Sequence, residues 1–561
     1  MTLGYEIKKY RKQTAAIVSF LAAFSLLGVQ AKAEGQPVPA QPVLPALEGQ
    51  PVLEEQPASY LKSATYYGDD WMINFWNLED TYLEEDMERI AADGFNSIIL
   101  AVPWREFQID VEEDRYNQYA IDKLHRVMDA ADRAGLSVLL RVGYTWDHAG
   151  NDNVLERYQK LIYEEEVQDA WMDYVKRIYE ETSRHPNFYG GFLTWEDFWN
   201  FTHVAGELGD TRKGRELAKQ TGYLDYLKET VTLEEAERQY GDDFSDWTQV
   251  YLPEREEEAY GLFLAFYNNW LNQLLADSQE VFPNLSMEVR TDVDPITMAD
   301  GGQTGFSHAA TFSCQNSSFT SLMYSVSMGM QAGNDHMSAE QVLPQTAATL
   351  DWVTRYNGGK PLYIDQFLFT DNTPGFEENP KLDEAQMPIY LTRCAPVLKE
   401  KTMGYGIWTY RDYGNNMIYN SQFALEKTGW TSSGRTQTVS RDGSNQMEIE
   451  SYGRISQMVN PAGSSTENET VKVRFLADSP SGASVTVRLG GKSQTVTVNG
   501  KQQIFLEFPA DCLGEFSISS DRTVYVDNIQ VYTHVTEGKL YNMDGSPDSC
   551  LEAVRTLNAS L

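Results

Sequence analysis

The chain has 561 residues, with 82 acidic against 45 basic side chains and a formal net charge of -37. Such a surface repels phosphate backbones and anionic lipid, which excludes nucleic acid and a membrane surface as natural partners. The length calls for two or three domains, a hydrophobic content of 42% supplies sizeable cores, and 12 Trp with 32 Tyr favour a neutral ligand whose rings stack on aromatic faces, carbohydrate being the commonest.

Residues 1–33 read as an export signal. Lys8-Lys9 and Arg11-Lys12 precede an apolar stretch from Thr14 to Val29, and Ala31-Lys32-Ala33 offers a small-x-small cleavage site. The alternative is an uncleaved anchor, because the apolar run is close to the shortest that spans a bilayer. Either way the remainder is expected outside the cytoplasm, secreted or at the cell surface. Residues 34–57, rich in Pro, Gln and Glu, cannot bury a core and read as an extended linker.

From residue 58 to 415 strands and helices alternate, the pattern of a parallel α/β fold. Strands are predicted at Ser63 to Tyr67, Asn96 to Pro103, Ser137 to Gly143, Gly190 to Asp197, Leu285 to Arg290, Pro361 to Asp365 and Gly404 to Trp408, with a poorly marked sixth somewhere in Ala309 to Ser325. Between them fall helices at Leu83 to Asp93, Ala120 to Ala134, Val167 to Ser183, Ala259 to Ser278, Ala339 to Tyr356 and Leu382 to Lys401, and a charged, helix-rich insertion covers 203–258. Eight such units make a (β/α)8 TIM barrel. Over 416–536 helical periodicity gives way to short alternating strands such as Val471-Lys-Val-Arg-Phe, an all-β sandwich. Residues 537–561 read as a tail. Cys314, Cys394, Cys512 and Cys550 fit no metal spacing; Cys512 with Cys550 is the better disulfide pair, and buried free thiols are the alternative.

In a parallel barrel the strand C-termini build the site. Glu196 ends the fourth strand, Asp365 the seventh and Trp408 the eighth. Two carboxylates there are the minimal equipment for cleaving a glycosidic bond. Trp71, Trp76, Trp104, Trp146, Trp195, Trp199 and Trp408 fall at or just past strand ends, as a sugar-stacking mouth would require, although some can equally pack loops. Alternation puts Glu196 on the face of Thr194, and Asp365 on that of Tyr363. Glu288, Arg290 and Asp292 form a charged column on strand five, either a polar upper lumen or a buried ion pair. Arg141 and Arg290 are candidate cations beside Asp365, and Tyr144, His148 and Tyr324 candidate hydroxyl binders; each of the five also has an ordinary structural explanation. Asp197 is a fallback for Glu196 that faces the other way. No nucleotide loop, zinc helix or serine-nucleophile elbow is present, and Gly301-Gly-Gln-Thr-Gly305 lacks the strand-to-helix setting of a phosphate loop.

On these residues the barrel segment resembles the clan A glycoside hydrolases, the cellulase and β-galactosidase superfamily. The resemblance implies Glu196 as acid/base, Asp365 as nucleophile and Trp408 in Ile407-Trp-Thr-Tyr-Arg-Asp-Tyr413 beneath the sugar, with no cofactor for catalysis and a β-linked oligo- or polysaccharide as substrate. Two positions depart: Trp195 stands where the family has Asn, and Asp365 where it has Glu. The shorter Asp365 widens the carboxyl gap, which leaves open retention (roughly 5–5.5 Å) or inversion (roughly 6.5–9.5 Å). Tyr419-Asn-Ser-Gln-Phe-Ala-Leu-Glu-Lys-Thr-Gly-Trp430 and Val524-Tyr-Val-Asp-Asn-Ile-Gln-Val-Tyr532 resemble strands of jelly-roll carbohydrate-binding modules, which implies a structural calcium ion in the sandwich; a plain sandwich packed on the barrel is the alternative. A non-catalytic glycan-binding protein on the same scaffold is the rival reading, and a structural or adhesive surface protein a third.

Overall fold

The computed structural model describes residues 59–79, 82–111, 115–143, 157–158, 160–194, 211–253, 257–290, 296–297, 303–304, 316–326, 336–369, 381–459, 470–509, 512, 514–536 and 538–561. Eight parallel strands close into a barrel in the order of the chain: β1 (Leu61–Thr65), β2 (Ser97–Val102), β3 (Ser137–Val142), β4 (Phe188–Leu193), β5 (Ser286–Arg290), β6 (Thr320–Ser325), β7 (Leu362–Leu368) and β8 (Gly404–Ile407), with β8 pairing back on β1. β2 is buried along its whole length, as its apolar run requires of a strand covered on both faces.

The outer layer comprises α1 (Leu83–Ala92), α2 (Gln118–Arg133), α3 (Glu165–Thr182), α4 (Tyr260–Val281), α5 (Ala339–Tyr356) and α6 (Met387–Lys401). Their ends are written locally. Gly94 and Gly135 take φ of +84° and +73° just past α1 and α2, a conformation costly for a Cβ. Ser338 and Gln341 cap the start of α5 reciprocally, each side chain accepting from the other's backbone N–H. The insertion contributes Thr211–Gln220, Tyr223–Thr230 and Leu233–Tyr240.

The expected tail proves to be part of the barrel. A seventh helix, α7 (Leu551–Ser560), packs against α6 and supplies the outer layer beside β8. Leu551, Val554 and Leu557, one face at helical spacing, are buried. The Asn558 Oδ1 accepts from Tyr405 of β8 at 2.7 Å, and Arg555 pairs with the fully buried Asp93 side chain at 2.8 Å. The β domain is thus inserted between β8 and α7.

That domain is a nine-stranded antiparallel sheet folded on itself. The strand Val471–Leu489 serves both layers: Lys472 to Asp478 pairs with Val524–Val535, Val485 to Leu489 with Gly514–Ser520, and the register breaks between Ser479 and Ala483. A break of this kind lets one strand turn a sandwich corner. The domain docks beside β1 and β2: Arg474 reaches Asp69 and Asp70 at 3.6 and 3.8 Å, and the Arg105 guanidinium lies 4.3 Å from the Tyr419 ring centroid.

The Cys512–Cys550 pairing is overturned. Cys512 lies in the sandwich core and Cys550 in the barrel's outer layer, and neither forms a disulfide, nor does Cys394. Among the described residues no three His, Cys, Asp or Glu gather at metal-holding distance, and no helix is long and apolar enough to cross a membrane.

Candidate active site

The lumen is layered. Its floor is an apolar plug of Leu61, Ile99, Leu139, Phe192, Phe319 and Tyr363. The Tyr363 ring fits because its neighbours are small. A Cβ on Gly404 would stand 2.6 Å from that of Leu61 and 3.0 Å from the Tyr363 ring. The Tyr363 hydroxyl donates to Ser63 at 2.7 Å, which shares a hydrogen bond with Ser97 at 2.6 Å.

Above the plug lies a charged layer contributed by five adjacent strands. Arg141 of β3 meets Glu288 of β5 at 3.0 Å, both at most 1% exposed. Thr194, directly after β4, donates to Glu288 Oε1 at 3.0 Å and accepts from Arg141 Nη2 at 3.0 Å. Ser321 of β6 donates to Asp365 Oδ2 of β7 at 2.6 Å. Burial raises the Asp365 pKa well above the usual carboxylate range, and the Glu288 carboxylate beside it raises it further; Arg141 and the Ser321 hydroxyl pull the other way without cancelling the rise. The charged column on strand five therefore contributes a buried ion pair inside the lumen.

Asp365 does not end its strand, which continues to Leu368. Leu322 pairs with Ile364 and Met323 with Gln366, so Asp365 is the extra residue of a bulge. The bulge brings Gln366 to the same layer, where strict alternation would turn it away. Turned with its amide oxygen toward Arg141, Gln366 accepts from Nη2 and, at 2.9 Å, from Nη1, the orientation its donors require. Gln366 and Ser321 escape a sequence reading. A polar pair in an otherwise apolar strand is the one signal that Asp365-Gln366 carries.

Trp408 closes the layer from above, its ring 5.7 Å from the Arg141 guanidinium. Trp71 stands edge-on to Trp408 at 6.0 Å and stacks on Tyr413 at 5.4 Å, while Tyr67 meets Trp71 at 6.2 Å. Tyr413 opens the first strand of the β domain, Tyr413–Asn416, so both domains contribute to this aromatic rim.

Three expectations are overturned. Trp76 is fully buried, packs on Phe107, and spends its indole N–H on the Ala101 carbonyl at 3.0 Å. Trp104 is equally buried against Trp171 and donates to Gln108 at 2.6 Å. Tyr324 points out of the barrel, bonding Thr346 of α5 at 2.8 Å and stacking on Phe367. None of the three can reach a ligand in the lumen. Trp76→Phe and Trp104→Phe are each expected to lose about 1–3 kcal/mol of stability, from the lost bond and contacts. Thermal melts check it. Glu196, Asp197, Tyr144, Trp146, His148, Trp195, Trp199, Asp292 and the side chain of Arg290 lie outside the described residues.

No family model and no curated protein matches the chain. Among solved structures, similar folds are GH5_18 from Streptomyces cattleya in complex with GlcNAc (13% identity, 64% of this chain and 72% of that one, TM-score 0.40). Others are the cold-adapted β-galactosidase from Rahnella sp. R3 (13%, 64% and 52%, TM-score 0.43) and β-glycosidase BGL167 (14%, 64% and 88%, TM-score 0.36). The scores are low, and the fold assignment rests on the closed strand order of the chain itself.

Proposed function

We propose that the protein is a secreted glycoside hydrolase that cleaves glycosidic bonds, β-linked, in an oligo- or polysaccharide with two carboxyl groups, Glu196 and Asp365. The observation that carries this reading is the bridge between β4 and β7. Thr194, two residues before Glu196 in sequence, is bonded to Glu288, and the Glu288 carboxyl borders Asp365. The chain entering Glu196 and the second carboxyl thus belong to one network at the C-terminal half of the barrel, under an indole.

In this mechanism Glu196 gives its proton to the leaving oxygen as the C–O bond breaks. Asp365 then either bonds to the anomeric carbon or takes a proton from the water that does so. Asp365 must be ionised for either role, with Arg141 as its counter-charge, so activity should rise with pH through an acid limb above that of an ordinary carboxylate.

The same group makes stability depend on pH. Its folded pKa lies above its unfolded value, so the folded state binds more protons in the window between the two. Stability is full below the unfolded carboxylate pKa and is lost as pH rises toward the folded one, by at most about 1.4 kcal/mol per pH unit. Asp365→Asn is expected to remove that slope, which urea titrations at several pH values would measure.

Product release from a broad glycan panel tests the function. Cleavage abolished in both Glu196→Gln and Asp365→Asn supports it, and cleavage that survives them assigns the chemistry to other carboxyl groups. A second reading, glycan binding without hydrolysis, draws on the depth of Asp365, which is only 1% exposed. Retained binding with no cleavage anywhere would make that reading the better one.

A further inference from the structure

We propose that Glu288 is a positioning residue for the hydrolytic reaction, holding the end of β4 and the Asp365 carboxyl of β7 in one fixed arrangement. The inference rests on the hydrolase reading and extends it to a third carboxyl group. Glu288 is placed for this by strand register, since it pairs directly with Ser321, the residue that donates to Asp365. One of its oxygens accepts from Thr194 and the other meets Arg141, each at 3.0 Å. Arg141 also donates to Thr194, so the three side chains close a triangle across β3, β4 and β5. All are buried to within 1% of full enclosure.

A buried ion pair alone would need only Arg141 and Glu288. The hydroxyl of Thr194 adds a contact to the backbone segment that leads into Glu196, and the border with Asp365 adds a charge interaction. Among the described residues, the charged and titratable groups facing Asp365 are Glu288 from β5, Arg141 from β3 and Tyr363 from its own strand. β6 offers the Ser321 hydroxyl, and β8 offers Gly406 at the bulge. Glu288 is the negative group in that set, so removing its charge acts on Asp365 in a known direction.

The test compares full-length wild type, Glu288→Gln and Thr194→Val in kcat and KM across pH, on whichever glycan the wild type cleaves. Glu288→Gln is expected to lower kcat about a hundredfold, the cost of losing alignment by about an ångström, with KM little changed. Its acid limb should move to lower pH, because Asp365 no longer ionises beside a negative neighbour. Thr194→Val keeps that charge and should lower kcat while leaving the acid limb in place. It also carries the test if Glu288→Gln does not fold.

A purely structural Glu288 would lower stability and leave kcat and the acid limb of the folded fraction unmoved, which would overturn the proposal. Hydrolysis by wild type that neither variant alters overturns this role alone. Absence of hydrolysis by the wild type overturns the hydrolase reading and the role together.

Discussion

Ending the chain before Leu551 is expected to leave no stably folded barrel. The shortened protein should be recovered as aggregate, or as a soluble form without a cooperative melt. The helix removed buries Leu551, Val554 and Leu557, and burying each such side chain contributes about 1.5–3 kcal/mol. It also takes Arg555 from Asp93, whose carboxylate keeps the Tyr410 and Tyr541 hydroxyls but loses its cation, a loss below the roughly 3–5 kcal/mol of a wholly uncompensated buried charge. Asn558 adds a bond from Tyr405, one to the Asp93 carbonyl and, through its own carbonyl, one from Lys62. Together these match the whole stability of an ordinary domain, about 5–15 kcal/mol. Leu557→Asp is the single-residue version and should act in the same direction. A truncated chain that melts within a few degrees of the intact one would refute the assignment of α7 to the barrel.

The second large effect is expected at Arg141. Replacing it by Met should destabilise the fold by about 3–5 kcal/mol, because Glu288 is left charged, buried and without its cation. Asp365, already held above the ordinary carboxylate range, would lose the Arg141 charge that pulls it down. Replacing both members, Arg141→Met with Glu288→Met, should cost clearly less than the sum of the single changes, since the charges leave together. Urea denaturation of the four proteins closes the cycle. Additive losses would mean that the two side chains do not act as a pair.

The barrel was readable where its strands obey one rule. β2 is a continuous apolar run, β3 is apolar apart from Ser137 and Arg141, and Gly94 and Gly135 mark the ends of the helices beside them. β6 was faint for a physical reason: Thr320, Ser321 and Ser325 interrupt its apolar run, and Ser321 is polar because it serves the charged layer of the lumen. Alternation put Asp365 on the face of Tyr363, yet its depth was not legible, because a bulge has no signature in a period of two. Position past a strand end separates nothing among tryptophans. Trp71 and Trp408 line the rim, while Trp76 turns inward onto the Ala101 carbonyl, far away in sequence, and Trp104 onto the Gln108 amide one helical turn on. The helix Leu551–Ser560 was read as a tail, although Leu551, Val554 and Leu557 stand at helical spacing, because the strand it accompanies lies before the β domain.

That separation sets an order of events during synthesis. When β8 has emerged from the ribosome, the barrel has all its strands but an uncovered gap in its wall, where Tyr405 and Asp93 await α7. The intervening β domain must then be translated, which at roughly 5–20 residues per second takes on the order of ten seconds. The sandwich, whose strand pairs are all among its own residues apart from bridges to the barrel loops, is free to fold in that interval. The barrel, synthesised first, is therefore completed last, and a chaperone that shields hydrophobic surface has its natural window of action there.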